Sequence, residues 1–460
     1  MAVGLKDSLF QRLSDIYSSS RVSAQPDELA VASKDESANA PVLPVAVVWP
    51  LNAEEILRTV RLCIETRTPI TARGAGSALE GSAIPLSNGI VMDVSRMSSI
   101  RNYWPEDLQV EIEPGIVYDK LNDYLKRDAL FFPPSPGGSG DFATVGGMVS
   151  TNASGIYSVK YGGTRDYVLS LDVVTGYGEQ VKLGNRAVKR SSGYNLVELM
   201  CGSEGTLGII TSIVLKLAGL PEGRLQKAYK FPTERAAAQA VSEMRRYGVD
   251  VAAIEFLDKR VIGALNKLKS YGIEEVPMLL LEFHGHPSLL QSSSESAEAI
   301  CSEQLGLPFQ LPEGQQPWEI RHWVTESIKQ LLPGYSIIRN DIAFPISRLP
   351  DMVTFCYTIG EKHYTPIFTF GHVGNGILHA LMLARKHDSG EWNRAVRANI
   401  EIVEEAVRIG GTVSGEHGIG LGLKLQFLKE HGNAVELMRQ IKKQFDPHNI
   451  LNPGKIFDIA

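Results

Sequence analysis

The segment Pro69-Ile-Thr-Ala-Arg-Gly-Ala-Gly-Ser-Ala-Leu-Glu-Gly81 constrains the fold more than any other. A short β-type run, 70–72, passes directly into a loop carrying Gly74, Gly76 and Gly81. Glycines so placed let backbone N–H groups close around a phosphate. The spacing differs from the dinucleotide fingerprint GxGxxG, which must also open a helix. Here Ser82-Ala-Ile-Pro-Leu-Ser-Asn-Gly89 follows, contains a proline and reads as loop. A phosphate bound at this segment is therefore expected in a loop and not at a helix N-terminus. A tight structural turn accounts for the glycines equally well.

With 460 residues the chain exceeds one ordinary core, and two domains are expected. Apolar residues at 43% and charged residues at 21% are ordinary for a globular protein. The net charge of −6, from 46 basic and 52 acidic residues, argues against a nucleic-acid surface and leaves room for a basic partner. Cys63, Cys201, Cys301 and Cys356 are scattered without a CxxC pair, so neither a zinc ribbon nor an iron–sulfur cluster is supported. They read as small buried apolar residues in a reducing compartment. Lys6, Asp7, Arg12 and Asp15 interrupt any apolar run at the start, so a signal peptide is not expected. Leu5, Leu9, Leu13 and Ile16 instead make a helical stripe. No stretch approaches the roughly 20 apolar residues that span a bilayer. The expected location is cytoplasmic, with contact at the inner membrane only through a partner.

The first half reads as mixed α and β. Asn52 and Glu55 resemble a capping box, and Ile56, Val60 and Ile64 line one face of the helix that follows. Strands are expected at 89–94, 108–113, 168–175, 180–183 and 209–217, with a hairpin turn at Gly176-Tyr-Gly178. Gly219-Leu-Pro-Glu-Gly223 is a domain boundary by its turn residues. Beyond it, strands at 228–231, 251–256, 278–283, 336–343 and 366–370 alternate with helical stretches such as 233–247 and 391–409. That alternation suggests an α+β sandwich of split βαβ type. The segment 21–40, rich in Ser, Ala and acids, reads as a loose surface lead-in.

Gly371-His-Val-Gly-Asn-Gly-Ile-Leu-His379 follows an apolar strand and turns at Gly374-Asn375-Gly376. A hairpin there brings His372 and His379 together. Downstream, Ser414-Gly-Glu-His-Gly-Ile-Gly420 sets Glu416 and His417 between glycines. Two imidazoles and a carboxylate from separate segments can form a three-ligand site with an open position, suited to Zn, Mn or Fe(II). On spacing alone, two hydrogen-bonded histidines in a hairpin are the more usual account of the pattern.

Two further Gly-rich stretches follow the first loop. One is Pro133-Pro-Ser-Pro-Gly-Gly138 leading into Thr144-Val-Gly-Gly-Met-Val-Ser-Thr-Asn-Ala-Ser-Gly155. The other is Gly202-Ser-Glu-Gly-Thr-Leu-Gly-Ile-Ile-Thr211. The three turns, in this order, resemble the FAD-binding domain of the vanillyl-alcohol oxidase and p-cresol methylhydroxylase (PCMH) superfamily. The likeness is strongest to its D-lactate, glycolate and D-2-hydroxyglutarate dehydrogenase branch and runs from about residue 41 to 456. It implies an α+β fold: a PCMH-type FAD-binding domain of two α+β subdomains and a ferredoxin-like α+β cap. The implied boundaries are a lead-in at 1–40, the FAD domain at 41–220, the cap at 221–411 and a segment returning to the FAD domain at 412–460.

In that family the first loop wraps the FAD pyrophosphate, and the second and third turns lie along the flavin. The cofactor positions carried over are Arg73, Gly74, Ala75, Gly76, Ser77, Gly81, Pro134, Ser135, Thr144, Gly146, Gly147, Ser150, Thr151, Asn152, Gly155, Glu204, Gly205, Ile210 and Asn452. Many relatives attach FAD to a histidine of the first loop. This loop has none, so non-covalent FAD is expected. The family motif GHxGDGNxH supplies two metal histidines, and an EH pair supplies a third ligand and a catalytic histidine. These roles map onto His372, His379, Glu416 and His417, with Zn, Mn or Fe as the divalent metal. Asn375 stands in place of Asp and Ile377 in place of Asn, which puts the conformation of the turn in question. Arg321 matches the arginine that grips the substrate carboxylate, and Arg339 a basic position near the substrate. Leu381 replaces an Asn of the D-2-hydroxyglutarate enzymes and favours a small substrate.

The resemblance implies an FAD-linked D-2-hydroxyacid dehydrogenase, D-lactate being the favoured substrate. His417 would act as base and substrate contact, and the hydride would pass to flavin N5. D-2-hydroxyglutarate and glycolate remain as alternative substrates. An ether-lipid synthase or alcohol oxidase fits the histidines less well, and a non-catalytic flavin subunit of a larger redox complex is the alternative from another class. Electrons would leave to an electron-transfer flavoprotein, an Fe–S subunit, a cytochrome or a quinone. A homodimer is compatible with the sequence.

Overall fold

The computed structural model describes residues 9–269, 271–310 and 316–459. It is a mixed α+β fold of two compact units. The first draws its described residues from Met1–Ser154, Gly163–Leu220 and Glu416–Ala460; the second from Gly155–Gly162 and Pro221–Gly415. Among the described residues no helix is long and apolar enough to cross a membrane. All four cysteines are buried and free. Leu5 lies outside the described residues, while Leu9 and Leu13 are buried in the first core.

The segment 21–40 is not the loose lead-in its composition suggests: Val22–Ser23 pairs antiparallel with Ala46–Val48, Pro26–Ala32 is a helix, and Val22 and Ala32 are buried. A parallel β–α–β crossover follows. Strands Ala46–Val48 and Ile70–Arg73 flank Ile90–Asp93, pairing parallel to it on either side. The connecting helix Ala53–Thr66 buries Ile56, Val60 and Cys63. Asn52 caps it by accepting from the Glu55 N–H at 3.0 Å. The Glu55 carboxylate reaches back one residue further than a capping box requires, to the Leu51 N–H at 2.8 Å. A second, antiparallel sheet runs in the order Ile100–Trp104, Gln109–Ile112, Ile209–Lys216, Val168–Val174 and Gln180–Gly184.

The C-terminal segment closes the edge of the parallel sheet. The Ile70 N–H donates to Ile450 O and the Asn452 N–H to Ile70 O, both at 2.7 Å. This return is anchored by a buried ion pair, Lys442 with Asp446. The Lys442 ammonium also donates to Thr206 O at 2.8 Å and Leu451 O at 2.7 Å. Such a pair, once formed, is costly to break from one side, by about 3–5 kcal/mol.

One Gly-rich stretch differs from the expected turn. Residues Val145–Thr151 form a helix. Thr144 caps it through its hydroxyl to the Gly147 N–H at 3.3 Å, and Asn152 ends it in the left-handed region at φ 55°. Caps at both ends outweigh the low helix propensity of Gly146 and Gly147.

The second unit is one antiparallel seven-stranded sheet: Leu307–Phe309, Gly223–Lys230, Met278–Gly285, Ala253–Leu257, Ile367–Gly371, Ile377–Ala384 and Ser336–Ala343. Helices Lys259–Lys269 and Pro317–Leu331 share a core with it through Val261, Leu265, Ile320 and Val324 against Leu257, Leu280, Phe370 and Leu381. The strand at 223–230 starts earlier than its apolar residues suggest. Arg224 and Gln226 face Glu282 in place of apolar partners, so the alternation is hidden. The short helix Ser158–Tyr161 joins this unit: the Tyr157 and Tyr161 hydroxyls meet Glu282 at 3.2 Å and His284 at 3.0 Å.

Candidate active site

In the first unit, strand Ile70–Arg73 delivers Gly74, Ala75, Gly76 and Ser77 as a half-buried loop. Gly76 has φ +73°, and a Cβ there would lie 2.0 Å from the Arg73 guanidinium. A Cβ on Gly74 would lie 2.1 Å from Thr144 Oγ1. The first loop therefore needs glycine at both positions, Gly74 to take the Thr144 side chain that caps the helix and Gly76 to take the Arg73 guanidinium. Pro134 and Ser135 are buried nearby in sequence, with the Ser135 N–H on Ser154 O at 3.3 Å. Gly155 belongs to the second unit.

The turn carrying Glu204 and Gly205 joins the helix Val145–Thr151. The Gly202 N–H donates to Val149 O at 3.0 Å and the Glu204 N–H to Ser150 O at 2.8 Å. Asn452 Nδ2 binds Ser82 O at 2.9 Å and Glu204 O at 2.7 Å, so all three Gly-rich segments are tied to one another or to the C-terminal segment. Glu204 is buried, and burial raises its carboxyl to about 7. It accepts from the Ile419 N–H at 2.7 Å and the Gly420 N–H at 2.9 Å. Those bonds fix the loop just after Glu416 and His417. From its other side, Ser154 Oγ donates to Glu416 at 3.2 Å. His417 Nε2 lies 3.5 Å from Glu416 Oε1.

Lys455 is 2% exposed, and its Nζ has no protein hydrogen-bond partner among the described residues. Burial lowers its ammonium to about 8. A buried ammonium of this kind calls for an acceptor from outside the chain. FAD offers several, in its phosphates and ring carbonyls. With its buried Lys455 ammonium and its half-buried glycine loop, the first unit fits that cofactor.

In the second unit the His372–His379 hairpin forms. One 3₁₀ turn, Val373–Asn375, brings the Ile377 N–H onto His372 O at 3.3 Å. Asn375 is exposed and Ile377 buried, so both departures from the family motif are accommodated. The two imidazoles stand edge to face, centroids 5.1 Å apart, and offer nitrogens within 4.8 Å of each other. Both are nearly buried. His372 Nδ1 lies 2.5 Å from Glu255 Oε1. Arg321 Nε donates to Glu255 Oε2, also at 2.5 Å. Burial alone would push the Glu255 carboxyl up. The charges of His372 and Arg321 outweigh it and hold the group below the usual carboxylate range. A histidine that donates from Nδ1 to a carboxylate carries its lone pair on Nε2, so the pair fits a divalent ion.

Asp341 is the cross-strand partner of His379, and Arg339 of Leu381. Ser414 Oγ reaches Asp341 at 3.1 Å, and the Gly415 N–H reaches Asp341 O at 2.7 Å. Glu416 is the next residue in the chain. Glu255, Glu282 and Asp341 are buried acids that motif matching passes over. Each is the one acid of its strand, and each is fully buried. A buried acid requires a cation or donor beside it, which is the readable signal.

Residues 44–184 match the family described as FAD binding domain, and residues 221–456 the FAD linked oxidases, C-terminal domain. The chain is 35% identical over 437 residues to a protein named probable D-lactate dehydrogenase, mitochondrial, from Danio rerio, covering 93% of this chain and 87% of that one. It is 34% identical to glycolate oxidase subunit GlcD of Bacillus subtilis, covering 93% and 92%. The fold superposes on p-cresol methylhydroxylase with substrate bound at a TM-score of 0.84 and 16% identity, over 99% of this chain and 98% of that one. The chain belongs to the PCMH-type FAD-linked oxidases, in the group that holds the D-lactate dehydrogenases and glycolate oxidase subunits.

Proposed function

We propose that the protein oxidises a small D-2-hydroxy acid, D-lactate before others, to the 2-oxo acid, using non-covalent FAD and one divalent ion. The observation that carries this reading is the Glu255 carboxylate, which holds His372 on one oxygen and Arg321 on the other. A histidine set to ligate an ion through Nε2 and a guanidinium, both held by one carboxylate, suit the hydroxyl and the carboxylate of a 2-hydroxycarboxylate. The similarity to D-lactate dehydrogenases and glycolate oxidase subunits points to the same substrate class.

The proposed roles follow from the residues. Arg321 spends its Nε on Glu255 and keeps its terminal Nη edge for two parallel hydrogen bonds to the substrate carboxylate. His372, His379 and Glu416 hold the ion; Glu416 follows Gly415, whose N–H docks on the strand opposite His379. His417 takes the hydroxyl proton. Arg73 to Ser77, Gly81, Pro134, Ser135, Thr144, Gly146, Gly147, Ser150, Thr151, Asn152, Gly155, Glu204, Gly205, Ile210 and Asn452 hold FAD. When bound, FAD accepts the hydride from the substrate carbon and the ion lowers the pKa of the hydroxyl. An electron-transfer flavoprotein, Fe–S subunit, cytochrome or quinone then receives the electrons.

An anaerobic panel of D- and L-2-hydroxy acids, followed by flavin absorbance, tests the proposal. D-lactate should bleach the flavin and L-lactate should not. A flavin that no hydroxy acid in the panel reduces would sink the reading.

A further inference from the structure

Glu255 is fully buried in the strand Ala253–Leu257, with apolar Ile254 and Phe256 on either side. Both of its oxygens are occupied, by partners that come from different parts of the chain. His372 follows the strand Ile367–Gly371, and Arg321 lies on the helix Pro317–Leu331. Arg321 is further located by the Phe370 ring, 4.8 Å from its guanidinium carbon. One carboxylate thus sits between the imidazole and the guanidinium to which the proposed function gives the metal and the substrate carboxylate.

We propose that Glu255 is a shared positioning residue: its two oxygens set the Nδ1–H form of His372 and the orientation of Arg321 together, coupling metal affinity to hydroxy-acid binding. The roles of metal and substrate rest on the proposed function; the hold of Glu255 on the two side chains does not. The chemistry of the acceptor explains why the position is a carboxylate. An Arg Nε–H can only donate, and a His that ligates through Nε2 must donate from Nδ1. Two donors facing one group require two acceptors. Glutamine supplies one acceptor and one donor, so it can satisfy either neighbour but not both.

Its consequence for His372 is specific. If the amide N–H₂ turns to His372, Nδ1 must accept and the ring proton moves to Nε2, the atom needed for the ion. If the amide oxygen turns to His372, Arg321 loses its anchor and the substrate carboxylate loses its aligned edge. Removing the charge also weakens the hydrogen bond that orients the ligating histidine. A plain structural ion pair would show neither effect once folding is intact.

The test uses FAD-loaded protein with ¹⁵N-labelled histidine, wild type and Glu255→Gln. Imidazole ¹⁵N shifts report the proton position, and competition with a chromophoric chelator reports Zn²⁺ affinity. In wild type His372 should carry its proton on Nδ1 before any metal is added. The variant should lose that state or show a raised KM for D-lactate, and its Zn²⁺ affinity should fall about 10- to 100-fold. FAD content should be unchanged. An unaltered Nδ1 proton together with unaltered Zn²⁺ affinity and KM would overturn the proposal. If wild type takes up no Zn²⁺ yet the proton position responds, the metal assignment fails and the positioning role stands. Should Glu255→Gln not fold, Arg321→Met provides the second reading. Freed of the competing donor, Glu255 should bind His372 more strongly and move the Nδ1 proton downfield. No movement would show that the two contacts are independent, against the proposal.

Discussion

Arg339 lies directly opposite Leu381 on antiparallel strands, so the two side chains share one face of the sheet. Leu381 is buried and apolar, and Arg339 is half-buried. The same face carries His379 two residues before Leu381 and Asp341 two residues after Arg339. Leu381 gives a second carboxylate no hydrogen bond, and an unpaired buried carboxylate costs several kcal/mol. D-lactate or D-2-hydroxybutyrate should therefore exceed D-2-hydroxyglutarate in kcat/KM by roughly tenfold or more, since about 1.4 kcal/mol gives that factor. Leu381→Asn should narrow the gap. Steady-state rates with one artificial acceptor at fixed pH check this. A preference for D-2-hydroxyglutarate that disappears in Arg339→Ala would assign Arg339 to a distal carboxylate instead.

Gly76→Val should weaken FAD retention without unfolding the second unit. The new Cβ would meet the Arg73 guanidinium at a backbone φ of +73°, so both the loop and the arginine must move. Wild-type flavin should appear in the supernatant after acid precipitation, because the first loop offers no histidine for attachment. Normal FAD affinity in a folded Gly76→Val protein counts against the pyrophosphate role of the loop. Flavin left in the precipitate counts against non-covalent binding.

Glu204 predicts a pH dependence. Its carboxyl is raised from 4.5 to about 7, chiefly by burial. The folded state therefore keeps a proton that the unfolded chain releases between those values. The stability this contributes is fully present below the lower value and is lost as pH rises through the upper one, with a ceiling on the order of 3 kcal/mol. Urea unfolding in excess FAD should show stability falling from about pH 5 to about pH 8. Glu204→Gln keeps one acceptor for the 419–420 backbone and should flatten the slope. An equal slope in the variant would place the titration elsewhere.

The sequence reveals the elements whose signal is local. The strand into the Gly74–Gly76 loop, the Asn52 cap and the hairpin of His372 and His379 all depend on neighbouring residues, and all are present. Two kinds of feature escape such reading. The helix Val145–Thr151 reads as a turn because its two glycines dominate local propensity, while its caps and its tie to Gly202 and Glu204 are terminal or tertiary effects. Glu255 escapes because its partners lie 66 and 117 residues away, and the strand around it gives only an apolar run. What is legible is the presence of an acid where an acid is expensive; what is not is which cations answer it.

The proposed dependence of hydroxy-acid oxidation by FAD on a divalent ion is tested most directly by the reductive half-reaction. Anaerobic stopped-flow mixing of the FAD-loaded enzyme with D-lactate, before and after chelation, should show flavin bleaching that chelation abolishes, with the flavin still bound and Zn²⁺ or Mn²⁺ restoring the rate. His372→Ala should behave as the chelated enzyme and resist restoration. Full-rate flavin reduction by D-lactate in rigorously metal-free protein would contradict the account.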